Sequence, residues 1–234
     1  MMIASEDYTV HDFPLEATYS NLENKILNLN IELLSVDIFD TLLVRKESDE
    51  DKRFRDVSEI SSKAIGVDTE VILQARKFAH KSAYLINRGG ETEAKFSDIL
   101  NLMVKILGLD DNLIDVLRKI EIDYEYNSLE VNQHLVKLLQ KTKIPYLFAS
   151  DMYLEISDIQ DLFVKFKIKL KPIEILVSSS LGLSKRNHGM FRHIKEKYKD
   201  KKNIMQIGDN RYSDIKNAEK HGMHSFWIRH THAK

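Results

Sequence analysis

The stretch Leu33-Leu34-Ser35-Val36-Asp37-Ile38-Phe39-Asp40-Thr41-Leu42-Leu43 decides the fold. It opens with an apolar run of strand length and then offers carboxylates. A second stretch repeats the plan: Ile204-Met205-Gln206-Ile207-Gly208-Asp209-Asn210-Arg211-Tyr212-Ser213-Asp214. Buried strands that stop on acidic residues place those residues at the carboxyl edge of a parallel sheet, where α/β proteins bind their ligands. Carboxylates gathered there repel one another and raise their own pKa values. A bound cation relieves that repulsion, and hard oxygen ligands suit Mg²⁺.

Working outward, five short apolar runs read as strands: Glu32–Val36, Tyr146–Ala149, Ile173–Val177, Asn203–Ile207 and Ser225–Ile228. Amphipathic stretches of helix length separate the last four. Ser157–Phe166 repeats apolar residues at Ile159, Leu162, Phe163 and Phe166, and Gly189–Tyr198 does so at Met190, Phe191, Ile194 and Tyr198. Ser213–His221 carries Ile215 and Ala218, with Gly222 as a stop. Alternating strands and helices imply right-handed crossovers and a parallel sheet covered on both faces.

Residues 46–126 break this rhythm and read as helix throughout. Val57, Ile60, Ala64 and Ile65 define one apolar face; Val71, Ile72, Ala75, Phe78, Ala79 and Leu85 define another. Gly89-Gly90 makes a break, Phe96 to Leu107 resumes, Gly108 stops that helix, and Asn112–Ile122 starts the next. A helical insert between the first and second strands reads as a cap, dividing the chain into a core of residues 1–45 and 127–234 and a cap of 46–126. Residues 1–30 read as a loop and one helix, with Leu22, Ile26 and Leu29 on a shared face.

Composition narrows the function. Of 234 residues 43% are apolar, enough for a sizeable core. Basic and acidic residues number 35 and 36, and the net charge of −1 gives no electrostatic case for a nucleic-acid partner. Cysteine is absent, which excludes disulfides, thiolate metal sites and cysteine nucleophiles. Residues 1–30 lack the pattern of a signal peptide, and no apolar run reaches membrane-spanning length, so a cytoplasmic protein without a membrane partner is expected.

Together these segments resemble the haloacid dehalogenase (HAD) superfamily of hydrolases, over roughly Leu33 to Arg229. Four motifs in order carry the resemblance: Asp37-Ile38-Phe39-Asp40-Thr41-Leu42, Leu147-Phe148-Ala149-Ser150-Asp151, Ser178-Ser179-Ser180-Leu181-Gly182-Leu183-Ser184-Lys185, and Gly208-Asp209-Asn210 with Asp214. It implies an α/β, Rossmann-like HAD core with an all-helical cap inserted after the first strand. It also implies a Mg²⁺-dependent phosphohydrolase acting on a small phosphorylated metabolite, a sugar phosphate among the candidates. Asp37 is then the nucleophile, forming an aspartyl-phosphate on a phosphorus that the metal makes electrophilic. Ser150 donates to a phosphoryl oxygen, and Lys185 offsets charge in the transition state. Asp37, Asp209, Asp214 and the backbone carbonyl of Phe39 are the implied Mg²⁺ ligands. Thr41, Asp151 and Arg45 are expected at the substrate. Singly, each residue has an ordinary reading as a turn, a cap or a solvated charge; four at one sheet edge favour a site.

One position departs from the pattern. Phosphatases of the superfamily carry a second aspartate two residues after the nucleophile, as general acid and base; here it is Phe39. Asp40 follows, where glycine is usual, and residues one apart in extended chain face differently. Asp40 is therefore an acid/base candidate without an assured position, and a missing general acid costs about 10²–10⁴ in rate. Two further readings stay open: a C–X hydrolase, dehalogenase- or phosphonatase-like, and a non-catalytic phosphate-binding domain. Of the cap lysines Lys52, Lys63, Lys77 and Lys81, none stands out as a phosphonatase Schiff base. The wording around Phe39–Arg45, Ser150–Leu154 and Lys185–Phe191 is similar to predicted HAD hydrolases associated with bacterial surface-polysaccharide biosynthesis. His221, His224, His230 and His232 read as surface histidines.

Overall fold

The computed structural model describes residues 15–46, 49–85 and 93–228. The loop expected before residue 15, Gly89-Gly90, Arg229, His230 and His232 lie outside the described residues.

Helix α1 (Leu15–Asn28) leads into β1 (Leu33–Val36), which sits at the centre of a five-stranded sheet. Its neighbours are β4 (Tyr146–Ser150) and β6 (Ile204–Gly208), flanked by β5 (Ile175–Val177) and β7 (His224–Trp227), in the order β5-β4-β1-β6-β7. Every pairing in this sheet is parallel; Val36 lies opposite Phe148 on one side and Ile207 on the other. All five strands foreseen from the apolar runs are present, with ends shifted by up to two residues. The architecture is an α/β, Rossmann-like fold.

Both faces of the sheet are buried, which is why its strands read as continuous apolar runs. Period-two alternation divides them. Leu34, Val36, Phe148, Met205 and Ile207 face α1, α6 (Gln133–Lys141) and α7 (Ile156–Lys165), packing with Leu22, Leu135, Ile159 and Leu162. Leu33, Leu147, Ala149 and Ile204 face α9 (Gly189–Lys197), packing with Met190, Phe191 and Ile194. The short helices α8 (Ser178–Leu181) and α10 (Asn217–Lys220) complete the core. The segment expected as one helix over Ser213–His221 divides: a wide π turn spans Arg211–Lys216 before α10. That turn lets the Asn210 side chain accept from the amides of Tyr212 and Ser213.

Among the described residues between β1 and β4 lie four long helices: α2 (Glu50–Ile65), α3 (Thr69–Leu85), α4 (Phe96–Leu107) and α5 (Leu113–Ser128). Gly108 ends α4 in a left-handed turn, as its position in the sequence predicts. The expected faces are only partly buried. Ile72, Ala75 and Ala79 point inward, whereas Phe78 is 64% and Val71 52% exposed, and Ile60 and Leu85 are also exposed. The inward stripe of α3 instead carries Arg76, 1% exposed, whose Nη2 and Nε donate to Glu121 at 2.7 and 3.1 Å. Tyr153 Oη donates to the same carboxylate at 2.6 Å, joining this core to the loop after β4.

The chain enters and leaves the insertion through two strands that the sequence did not disclose. β2 (Leu43–Arg45) pairs antiparallel with β3 (Leu129–Val131), Val44 opposite Glu130. Three residues are too few to show a period.

Removing Glu121 leaves the Arg76 guanidinium buried without its carboxylate. Glu121→Ala is expected to cost about 3–5 kcal/mol, read as a lowered urea midpoint.

Candidate active site

The carboxyl ends of β1, β4 and β6 open into a cleft of about 550 Å³. It is lined from the sheet side by Asp37, Phe39, Asp40, Ser150, Asp151, Lys185, Asp209 and Asp214. Glu50, Arg53, His80, Tyr84 and Glu93 line it from the insertion side. The structure thus gathers every expected site residue except Thr41 on the cleft wall itself, and Thr41 stands directly behind: its Oγ1 donates to Asp37 Oδ2 at 3.0 Å.

Asp37 follows β1 and keeps its register, its amide donating to Ile207 O at 2.8 Å. Lys185 is the centre of the site. Its Nζ donates to Asp37 Oδ1 at 2.7 Å and to Asp214 Oδ1 at 2.6 Å, with all three side chains buried. Carboxylate oxygens of Asp37, Asp209 and Asp214 lie within 4.8 Å of one another. One ammonium thus faces three carboxylates, which accounts for opposite behaviour at the two ends of the ion pair. Although burial alone would lower it, two carboxylates hold Lys185 protonated well above the ordinary lysine value. Burial, aided by the Asp214 charge, pushes Asp37 up to about 7 despite Lys185. Asp209 is pushed to about 8 by burial and then by the Asp37 and Asp214 charges.

This donor set fits Mg²⁺: hard oxygens, crowded and short of positive charge. Asp37, Asp209 and Asp214 would hold the ion; the expected contribution of the Phe39 carbonyl rests on the resemblance.

Several residues absent from the sequence reading hold this arrangement. Gln206 is fully buried in β6, and its Nε2 donates to Asp214 Oδ1 at 3.0 Å. Asn217 Nδ2 donates to the carbonyls of Lys185 and Arg186 at 3.0 and 3.1 Å. Asn132 caps α6 through Oδ1 while its Nδ2 donates to Thr41 O at 2.9 Å. Their one signal in sequence is a polar amide beside apolar residues, which is common at helix caps. Asp151 accepts from the amides of Lys185 and Arg186 at 2.7 and 2.9 Å, so it fixes the loop that delivers Lys185.

Asp40 adopts a left-handed backbone, φ +58°, which aspartate tolerates and glycine favours. Its two oxygens accept from Arg45: Oδ1 from the amide at 3.1 Å and Oδ2 from Nη1 at 2.7 Å. Arg45 also reaches Glu125 at 3.4 Å and lies 4.7 Å over the Phe39 ring. Both residues are therefore engaged with each other at the neck between sheet and insertion.

A HAD-hydrolase-like family model matches residues 182–231. No curated protein matches in sequence. Among solved structures, the chain is similar to L-2-haloacid dehalogenase from Xanthobacter autotrophicus, solved with chloropropionic acid covalently bound, at 14% identity and TM-score 0.52, covering 83% of this chain and 76% of that one. It is similar to the HAD family enzyme BT-2542 from Bacteroides thetaiotaomicron, in complex with magnesium and inorganic phosphate, at 15% identity and TM-score 0.54, covering 85% and 94%. It is also similar to YfnB from Bacillus subtilis, bound to magnesium, at 13% identity and TM-score 0.53, covering 85% and 88%. At these identities the likeness establishes the HAD fold.

Two outcomes test the site. A Cβ at Gly208 would fall 2.3 Å from Asp214 Cγ, so Gly208→Ala must displace that carboxylate. Mg²⁺ affinity by calorimetry is expected to fall about 10- to 100-fold. The second concerns pH. Asp37 and Asp209 have folded-state values raised above those of the unfolded chain. Folded protein therefore holds protons that unfolded chain releases, and the associated stability is complete only below about pH 4. It is lost as pH rises through about 7 to 8. Thermal melts in chelator are expected to decline over that window, and the gain from Mg²⁺ to be larger near pH ~8 than near pH ~6.

Proposed function

We propose that this protein is a Mg²⁺-dependent phosphohydrolase acting on a small phosphorylated metabolite through phospho-Asp37. The observation that carries this reading is the buried Asp37–Lys185–Asp214 bridge with Asp209 beside it, at the carboxyl edge of a HAD-type sheet. The HAD-type match over residues 182–231 supports a hydrolase.

In this reading the bound cation supplies positive charge to the phosphoryl oxygens. Hydrogen bonds from Thr41 and Lys185 fix the Asp37 carboxylate, which limits the orientations it must lose before attack. Attack forms the Asp37–phosphorus bond and breaks the ester bond to the leaving oxygen. Ser150, ending β4 in the cleft wall, donates to a phosphoryl oxygen, and the Lys185 ammonium offsets the charge that develops. Water then attacks the same phosphorus, releasing phosphate and regenerating Asp37. Asp40 takes the proton-transfer role only if its pairing with Arg45 opens. The insertion acts as the cap, excluding water and selecting the substrate.

C–X hydrolysis is the second reading, favoured by Phe39 at the position of the usual acid and by the haloacid dehalogenase among similar folds. Three clustered carboxylates weigh against it. Lys185 is the only lysine lining the cleft among the described residues, and none of Lys52, Lys63, Lys77 and Lys81 does, which weighs against a Schiff-base phosphonatase.

Phosphate release from a panel of sugar and nucleotide phosphates decides between them. Wild type with Mg²⁺ is expected to turn over at least one ester, chelator to abolish it, and Asp37→Asn to lower kcat by about 10⁴ or more. Halide release from a 2-haloacid without metal, with no phosphate release, would establish the second reading instead.

A further inference from the structure

The insertion side of the cleft carries a histidine whose protonation is fixed by its neighbours. His80 Nδ1 lies 3.2 Å from Arg76 Nη1. A guanidinium has hydrogens to give and no lone pair to accept with, so Nδ1 must be the acceptor. A neutral ring that accepts at Nδ1 carries its hydrogen on Nε2. Arg76 cannot turn away, because Glu121 holds it at 2.7 and 3.1 Å, and the ring is clasped by Phe54, Tyr84 and Tyr153 with centroids 5.0–5.4 Å away. Tyr153 belongs to the loop after β4, two residues beyond Asp151, and His80 lines the same cleft as Asp37, Ser150 and Asp151.

Charged and titratable groups surround the ring on all sides. Arg76 and Tyr84 lie on α3, Glu50 and Arg53 on α2, Glu121 on α5, and Tyr153 comes from the core. Burial, then the Arg76 charge, holds His80 down to about 4. The ring is thus a neutral donor across the physiological range.

The wall around it is polar in both senses. Arg53 and His80 offer hydrogens; Glu50 and Glu93 offer acceptors. Arg53 is loosely engaged, 3.5 Å from Glu125 and 3.9 Å from Glu50, and its buried Nε has no partner. A purely anionic group would meet Glu50 and Glu93 as like charges. A hydroxyl both donates and accepts, so it satisfies such a wall.

Resting on the phosphohydrolase reading, we propose that His80 is a specificity-determining residue whose Nε2–H donates to a hydroxyl oxygen on the leaving group, making the substrate a polyhydroxylated phosphate ester.

The test compares triose, pentose and hexose phosphates with p-nitrophenyl phosphate, for wild type, His80→Gln and His80→Phe in the full chain with Mg²⁺. His80→Phe is expected to raise KM for the best sugar ester about tenfold, with a smaller effect on p-nitrophenyl phosphate, and His80→Gln to recover part of the loss. An imidazole ¹⁵N spectrum, assigned by the signal missing in His80→Gln, is expected to show the Nε2–H tautomer unchanged from about pH 5.5 to about pH 8. Equal losses on both kinds of ester overturn the inference while the reaction stands, and so does a ring that is protonated or carries its hydrogen on Nδ1. Release of phosphate from none of the esters by wild type overturns the reaction, and the inference with it.

Discussion

The Lys185 ammonium is the constraint on which the site depends. It is shared between Asp37 and Asp214 at 2.7 and 2.6 Å, with Asp209 close by. A buried lysine without a partner would lose its proton, and buried carboxylates without a cation would gain one. Bringing them together keeps the ammonium protonated and leaves the carboxylate cluster short of positive charge. That shortage is the physical reason the site suits a divalent cation, which brings the missing charge. An arrangement of this kind is costly in a folded protein unless ligand binding offsets it, which is why strongly shifted titrations point to function.

Holding such a cluster requires polar side chains within an apolar scaffold. Gln206 occupies a strand position whose neighbours Ile204 and Ile207 are core residues, and there it serves Asp214. Asn217 and Asp151 grip the backbone that presents Lys185, one through its carbonyls and the other through amides. Asn132 steadies the turn that brings Thr41 behind Asp37. Gln206, Asn217 and Asn132 are not among the residues lining the cleft. Each removes a freedom that the reacting groups would otherwise have to lose on binding.

Among the polar links between the insertion and the sheet, two differ in kind. Arg76, Glu121 and Tyr153 are buried and connect the helical core to the loop after β4. Arg45, Asp40 and Glu125 sit at the neck, where β2 and β3 carry the chain in and out. Breaking the first exposes an uncompensated charge. The second is half-exposed at Asp40, so it can rearrange at lower cost.

The sequence by itself determined the parallel sheet, because strands buried on both faces must be apolar throughout and helices between them must be amphipathic. It also marked Asp37 and Asp209 as candidates, since each follows an apolar run, and the resemblance of its motifs to the HAD pattern added Ser150, Lys185 and Asp214. Tertiary structure alone decided the rest. The β2–β3 neck is too short to have a period. Val71 and Phe78 match a helical stripe yet face outward, because Arg76 with its partner from α5 fixes how α3 is turned. Asp40 and Arg45 looked like independent site residues in the chain, and a left-handed turn at Asp40 makes them one pair. His80 gave no signal at all: its tautomer follows from a guanidinium, and that guanidinium from a carboxylate 45 residues away in the chain. Periodicity records what is buried, whereas the pairing of polar groups depends on elements distant in sequence, and only folding brings those together.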